Sequence, residues 1–378
     1  VTVVRALVTG SQGFIGRNLV VRLGEAPGIE PVEWHRRLPP AALTERIATA
    51  DVVIHLAGVN RPQDPSEFAS GNTDLTRTLV EAAAASNRAI PVILASSAQA
   101  AQDNAYGRSK LAAEGIVADY ARSRGVACRI YRLPNVFGKW SRPRYNSAVA
   151  TFCHHVIHGL PIDIHDPAAP LRLVYVDDVC DEFVAAIREV LEPRAEPCAA
   201  AGSVDPVYET TVGQIADMIQ GFGERRGAAT VGRVGAGFER ALYATFLSFM
   251  PPPQFSYPLQ RHVDPRGEFA EFVRTADSGQ MSYFTAHPGV TRGGHYHHTK
   301  NEKFLVLRGR ARFRFENLHT GETHALETSG NEPRVVETVP GWAHDITNIG
   351  SEEMLVMLWA NEAFDPAKPD TVARALHG

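Results

Sequence analysis

From residue 1 to about residue 194, short apolar runs rich in β-branched residues alternate with longer stretches whose apolar positions recur every three or four residues. The short runs predict strands at Ala6–Thr9, Pro31–Trp34, Val52–Leu56, Pro91–Ser96 and Arg129–Leu133. The longer stretches predict amphipathic helices at Phe14–Gly24, Thr73–Ser86 and Ala105–Arg124. Such alternation buries both faces of a parallel sheet, so this part is expected to be an α/β, Rossmann-like, doubly wound domain. The pattern changes at Met250, where Pro251, Pro252 and Pro253 forbid a continuing helix and stiffen the connection. We therefore divide the chain into residues 1–250 and 251–378. Beyond the boundary, strands are predicted at Phe304–Leu307 and Ala311–Phe315, separated by Arg308 and Gly309, with others near Val335 and Met354. That spacing describes an all-β barrel or jelly roll.

Composition narrows the classes of partner. A chain of 378 residues, 44% hydrophobic, can bury two cores. With 38 basic and 42 acidic residues the formal net charge is -4, which offers no broad positive field for nucleic acid. Cys128, Cys153, Cys180 and Cys198 show no C-x-x-C spacing and are expected as reduced thiols of a cytoplasmic protein. Neither the order of a signal peptide nor an apolar run of bilayer length is present, so no membrane partner is expected.

Gly10, Gly13 and Gly16 stand where the first strand turns into the first helix. Glycines there permit a tight turn and a close approach of backbone to a pyrophosphate, whose charge the helix N-terminus stabilises. The spacing is G-x-x-G-x-x-G, with Phe14 and Ile15 opening the helix. After the second strand, where an acidic residue would hold the ribose hydroxyl of NAD, the chain carries His35, Arg36 and Arg37. A guanidinium at that place suits the 2′-phosphate of NADP, so NADPH is the expected cofactor.

Tyr106 and Lys110 are four residues apart on the predicted helix from Ala105 and share a face. A ketone accepting hydride needs a proton on its oxygen, and a nearby ammonium is expected to lower the phenol pKa towards the working range. Ser96 and Ser97 end the strand upstream, and Ser97 is the favoured hydrogen-bond donor to the same oxygen. These features resemble the extended short-chain dehydrogenase/reductases of the sugar-nucleotide type over residues 1 to about 245. The segment His55, Leu56, Ala57, Gly58 resembles that family's cofactor-lining strand end, with Asn72 its following asparagine. The run Leu133–Gly138 and the segment from Arg172 to Val179 resemble its substrate-binding motifs. The resemblance implies that Asn135 and Arg172 hold a nucleoside diphosphate sugar. Lys139, Arg142 and Arg144 are further candidates, since cationic groups suit phosphate oxygens.

Near the C-terminus stand His295, His297, His298 and Glu302, with His344 much later. In an extended strand His295 and His297 share a face while His298 points away. Glu302 and His344, returning on neighbouring strands, complete three imidazoles and a carboxylate suited to a divalent metal, for which zinc is expected. The spacing H-x-H-x4-E resembles the first motif of the cupins, and Pro340, Gly341 and His344 their second, less one residue.

A reductase fused to a cupin resembles the CapF-type family of capsular polysaccharide enzymes across nearly the whole chain, on Phe137–Trp140, Tyr145–Ser147 and Gly294–Lys303. What the resemblance implies is a homodimer with two activities towards UDP-N-acetyl-L-fucosamine. The cupin would invert C3 of a UDP-2-acetamido-2,6-dideoxy-4-hexulose through an enolate, and the reductase would pass hydride from NADPH to C4, giving the talose-configured UDP-sugar. The metal either steadies the barrel or polarises the enolate. Tyr296, His298 and Lys303 are equal candidates for the C3 base by sequence nearness. Two rival readings stay open: a reductase whose cupin serves dimerisation or sugar binding, and a non-catalytic nucleotide sensor.

Overall fold

The structure is a computed structural model that describes residues 3–39, 41–192, 202–227, 230–258, 261–264, 267–270, 273–275, 279–362 and 367–376. Cys198 lies outside the described residues. Two compact units result: Val1–Ser147 with Pro170–Thr210, and Ala148–Ala169 with Thr211–Gly378.

The first unit runs β1 (Val4–Thr9), α1 (Phe14–Glu25), β2 (Ile29–Trp34), α2 (Ala41–Thr49), β3 (Val52–His55), α3 (Leu75–Ala85), β4 (Val92–Ser97), α4 (Ala105–Arg124) and β5 (Cys128–Leu133). The strands form a parallel sheet in the order β2-β1-β3-β4-β5. Val52, Val53, Ile54, Val92, Ile93 and Leu94 are buried, as central strands covered on both faces must be. This is the expected doubly wound α/β architecture. The order reverses at β1, so a crevice opens at the carboxyl ends of β1 and β3, where such sheets bind ligands.

Two local features depart from the periodicity. The helix expected from Thr73 begins at Leu75, because Ala69–Asp74 take a π-helical turn. Helix α2 was not singled out by sequence; its nine residues bury only Ala42, Leu43 and Ile47. A second sheet joins β6 (Asn135–Phe137), β7 (Pro170–Tyr175) and β8 (Val207–Thr211). Helix α5 (Ala148–Ile157) belongs to the second unit, and α6 (Val176–Val190) to the first. Helix α6 buries Val176, Val179, Cys180, Phe183, Ile187 and Val190, the stripe that faces a core.

In the second unit α5, α7 (Val212–Gly227) and α8 (Gly237–Leu247) accompany short β9 (Thr230–Val231). The strands that follow are β10 (Ser256–Pro258), β11 (Arg261–Asp264), β12 (Gly267–Ala270), β13 (Arg274–Thr275), β14 (Gln280–Ala286), β15 (Thr291–Tyr296) and β16 (Glu302–Arg308). After them come β17 (Arg310–Asn317), β18 (Thr323–Ser329), β19 (Arg334–Glu337), β20 (Trp342–Asn348), β21 (Met354–Ala360) and β22 (Val372–Ala373). Two five-stranded antiparallel sheets result, ordered β10-β19-β16-β21-β14 and β18-β17-β20-β15-β22. They face one another through aromatic contacts, with Phe304 of one sheet 5.6 Å by ring centroid from Phe313 of the other.

Gly309 shows why β16 and β17 can turn so tightly. Its φ is +87°, a conformation side chains disfavour, and a Cβ there would press on Met354 at 3.1 Å. On the outer face of β16, Lys303 is buried against Glu337, which also takes Arg226 of α7 at 2.7 Å. Among the described residues no helix is long and apolar enough to cross a membrane.

Candidate functional site

In the first unit the glycine loop follows β1 at the point where the sheet order reverses. Gly10 has φ +72°, and a Cβ on it would stand 2.8 Å from the Ala57 nitrogen. A Cβ on Gly16 would stand 2.2 Å from the Gly10 carbonyl oxygen. Only hydrogen fits at either place, so the turn is held tight at the crevice between β1 and β3. Substituting Gly16→Ala is therefore expected to destabilise the protein by about 1–3 kcal/mol, since the obstructing atom is backbone. Thermal unfolding, with and without NADPH, checks this.

Around that loop the structure collects the other expected cofactor residues. Gly58 follows Leu56 and Ala57 off β3, and a Cβ on it would meet Asn72 Oδ1 at 2.7 Å and Lys110 Nζ at 3.5 Å. Asn72 is itself fixed: its amide donates to the Val59 carbonyl at 3.0 Å and to Ser109 Oγ at 3.0 Å. The π-helical turn presents it. His55, buried between the hydroxyls of Thr9 at 2.7 Å and Thr76 at 3.0 Å, is pushed down to about 3 by burial and is a neutral structural histidine. Arg36 and Arg37 are exposed beyond β2, whose last residue, Trp34, pairs with Thr9 beside the loop. Ser11 Oγ and His35 Nδ1 are buried there without a hydrogen-bond partner among the described residues. Unpaired polar atoms on a glycine turn at a switch point fit a nicotinamide dinucleotide.

Helix α4 carries Tyr106 and Lys110 to the end of β4. Asn104 caps it, its Oδ1 accepting from the Gly107 nitrogen at 2.7 Å. Gly107 lets the helix start lie against the 3₁₀ turn Ala98–Ala101; a Cβ there would be 2.4 Å from the Gln99 carbonyl. This close approach brings the Tyr106 phenol within hydrogen-bonding reach of the Ser97 hydroxyl. Ser96 points the other way, into a buried hydrogen bond with Glu114, which Arg132 also holds at 2.7 Å. Lys110 Nζ donates to the Ala95 carbonyl at 3.1 Å, and burial pushes it down to about 8.

The expected lowering of the phenol is not found. Burial pushes Tyr106 up, and the Ser97 hydroxyl offsets only part of that shift. A phenol held protonated suits a proton donor to a developing alkoxide.

Of the phosphate candidates, Asn135 and Arg172 are exposed on neighbouring strands: Asn135 pairs in register with Leu173. Arg172 makes only a loose contact with Glu209 at 3.6 Å, both chains well solvated. Arg142 is exposed and stacks on Tyr145 at 5.4 Å; exposed Arg144 has φ +56°. Lys139 needs correction. It is 2% exposed with its ammonium on Asp177, so its charge is already neutralised inside the fold and does not reach a diphosphate.

In the second unit the cluster of His295, His297, Glu302 and His344 assembles, one donor atom from each lying within 4.8 Å of the others. Strand pairing does this, since His295 of β15 stands opposite His344 of β20. Glu302 Oε2 lies 3.3 Å from His297 Nε2 and 3.5 Å from His344 Nε2. His297 Nδ1 is bonded to the Asp370 carbonyl, and its Nε2 faces the cluster. Burial and the neighbouring imidazoles push His295 down to about 4, while His297 and His344 hold the buried Glu302 well below the usual carboxylate range. Among the described residues, buried His344 makes no well-formed hydrogen bond from either ring nitrogen, its Nε2 facing only Glu302 at 3.5 Å. Three imidazoles and a carboxylate gathered this closely in a mostly buried place fit a divalent cation.

A cavity of about 320 Å³ opens beside the cluster between the two sheets, lined by Tyr283, Phe284, Arg292, Phe304 and Ile346 among others. Sequence reasoning missed Tyr283 and Arg292. The arginine had a signal, three residues before His295; the tyrosine had none. None of the residues named from sequence as candidate C3 bases lines this cavity. Tyr296 and His298 are buried with their rings 5.6 Å apart, and Lys303 turns to the outer face.

A doubly wound sheet with a glycine turn at its switch point defines the dinucleotide-binding class of α/β proteins. The chain belongs to the NAD dependent epimerase/dehydratase family, whose model matches residues 6–196, and residues 262–372 match the polysaccharide biosynthesis C-terminal domain. The UDP-2-acetamido-2,6-beta-L-arabino-hexul-4-ose reductase of Pseudomonas aeruginosa is 52% identical over 369 residues, 98% of each chain. The crystal structure of the capsular polysaccharide assembling protein CapF from Staphylococcus aureus, 37% identical, matches 98% of this chain and 100% of its own with a TM-score of 0.66. The UDP-glucuronic acid 4-epimerase of Bacillus cereus, solved with NAD, is alike in fold at 19% identity and a TM-score of 0.52, over 58% of this chain and 84% of its own.

Proposed function

We propose that this chain is a reductase of a UDP-linked 4-keto sugar in polysaccharide biosynthesis, acting on a UDP-2-acetamido-2,6-dideoxy-4-hexulose with NADPH. The observation that carries the reading is Tyr106 beside Ser97 and one helical turn from Lys110, at the end of β4, in a chain 52% identical to a hexul-4-ose reductase. Bound NADPH supplies the hydride. Ser97 donates a hydrogen bond to the C4 oxygen, and Tyr106, protonated because it is buried, delivers the proton that the alkoxide takes up. Lys110 of α4 reaches Gly58, where its ammonium would hold the ribose of the cofactor. Asn135, Arg142, Arg144 and Arg172 hold the diphosphate. Arg36 and Arg37 receive the 2′-phosphate. Changing both to alanine is expected to weaken NADPH about tenfold to a hundredfold, the loss of one charge-assisted contact, and to leave NADH nearly unaffected. Initial rates with each cofactor decide.

The proposal extends to the second unit as a C3 epimerase. A ketone at C4 acidifies the C3 hydrogen, and the cavity beside the histidine cluster has the size for a sugar ring. His295, His297, Glu302 and His344 would hold a divalent metal, zinc, which supplies Lewis acidity when bound. Reduction after inversion gives the talose-configured UDP-sugar, in a cytoplasmic homodimer. The test is incubation with the 4-keto sugar in deuterated water, with and without NADPH. Deuterium uptake at C3 without cofactor, and NADPH oxidation when it is added, are expected. Oxidation without uptake would leave a reductase whose β-barrel serves another end; the absence of both signals would overturn the assignment.

A further inference from the structure

The strongest unexplained feature of the second unit is the end of the chain. Residues 367–376 return across the barrel, where β22 extends one sheet: Ala373 stands opposite His295, and the Arg374 nitrogen donates to the Gly294 carbonyl at 2.7 Å. Just before that strand, Asp370 meets the loop between β15 and β16 with every acceptor it has. Its Oδ1 accepts from the His298 nitrogen at 2.9 Å. Its Oδ2 accepts from the Thr299 nitrogen at 2.7 Å, the Thr299 hydroxyl at 3.0 Å and the Lys300 nitrogen at 2.6 Å. Its backbone carbonyl takes the Nδ1 proton of His297.

Successive N–H groups curled about one carboxylate form an anion nest. The curl has two consequences for the cluster. It fixes the tautomer of His297, and it sets Lys300 so that its ammonium lies 3.1 Å from Glu302 Oε1, leaving Oε2 to face His297 and His344.

We propose that Asp370 is a positioning residue of the metal centre: by clasping the backbone from His298 to Lys300 and bonding His297, it holds two of the four ligands in the orientation a divalent cation needs. This rests on the metal-binding reading given above. Asp370 touches no substrate, and its effect is on ligand geometry, as hydrogen-bonded partners behind metal ligands act elsewhere.

The test uses the full chain, stripped of metal, and its Asp370→Ala and Asp370→Asn variants. Zinc affinity is measured by competition with a chromophoric chelator, and ligand geometry by the visible spectrum of the cobalt(II) form. Asp370→Ala is expected to bind zinc about 10–100-fold more weakly and to alter the cobalt spectrum; Asp370→Asn, which keeps one acceptor oxygen, recovers part of both. A lower unfolding midpoint with affinity and spectrum unchanged would mean a structural role only and overturn the proposal. If the alanine variant does not fold, the asparagine variant decides, and affinity equal to the unsubstituted protein overturns it. If the unsubstituted protein itself binds no zinc, the metal reading fails and the clasp with it.

Discussion

Replacing Tyr106 with phenylalanine will lower the rate of C4 reduction by about 10²–10⁴-fold, the span a positioned general acid contributes. The substitution removes one oxygen from a half-buried ring that packs 5.5 Å by centroid from Phe68, so the packing stays and the fold is kept. What is lost is the proton that burial keeps on the phenol, beside the Ser97 hydroxyl. NADPH binding, measured by fluorescence titration, should be nearly unchanged, so the loss falls on kcat. Deuterium exchange at C3, assigned to the other unit, should persist. Unchanged turnover in Tyr106→Phe would falsify the assignment and revive a nucleotide-sensing role for the first unit.

His344→Ala carries the second large effect. The imidazole is buried in the cluster, its Nε2 3.5 Å from Glu302 Oε2. Its removal takes one of four donors from the cluster and should weaken zinc by at least about a hundredfold, since the loss of a group behind a ligand already costs 10–100-fold. C3 exchange should fall with the bound zinc, while NADPH oxidation by the first unit continues on a ketone supplied in the C3-inverted form. Metal analysis beside both assays separates the outcomes. Zinc retained at one per chain in His344→Ala would place the metal elsewhere.

Much of the candidate chemistry was legible because it is local. The glycine turn, the four-residue step from Tyr106 to Lys110 and the run His295–Glu302 each lie within one or two adjoining elements, where side-chain direction follows from helix or strand period. The wrong or silent places are those where partners come from far along the chain. Lys139 looked like a phosphate ligand until Asp177 was found beside it. The phenol of Tyr106 was expected to fall because Lys110 was near in sequence, yet burial raises it and the Ser97 hydroxyl offsets only part of that.

The sequence by itself pointed to the two kinds of architecture, the switch-point loop and the four clustered donors, because apolar period, glycine geometry and motif spacing act over a few residues. Only the tertiary structure decided which serine meets Tyr106, that α5 packs with the second unit, that Tyr283 and Arg292 wall the cavity, and that Asp370 reaches back to the His297 loop. The physical reason is register. A strand's period says which residues share a face, but which strand lies beside it, and opposite which residue, is settled by packing and hydrogen bonding across the whole sheet.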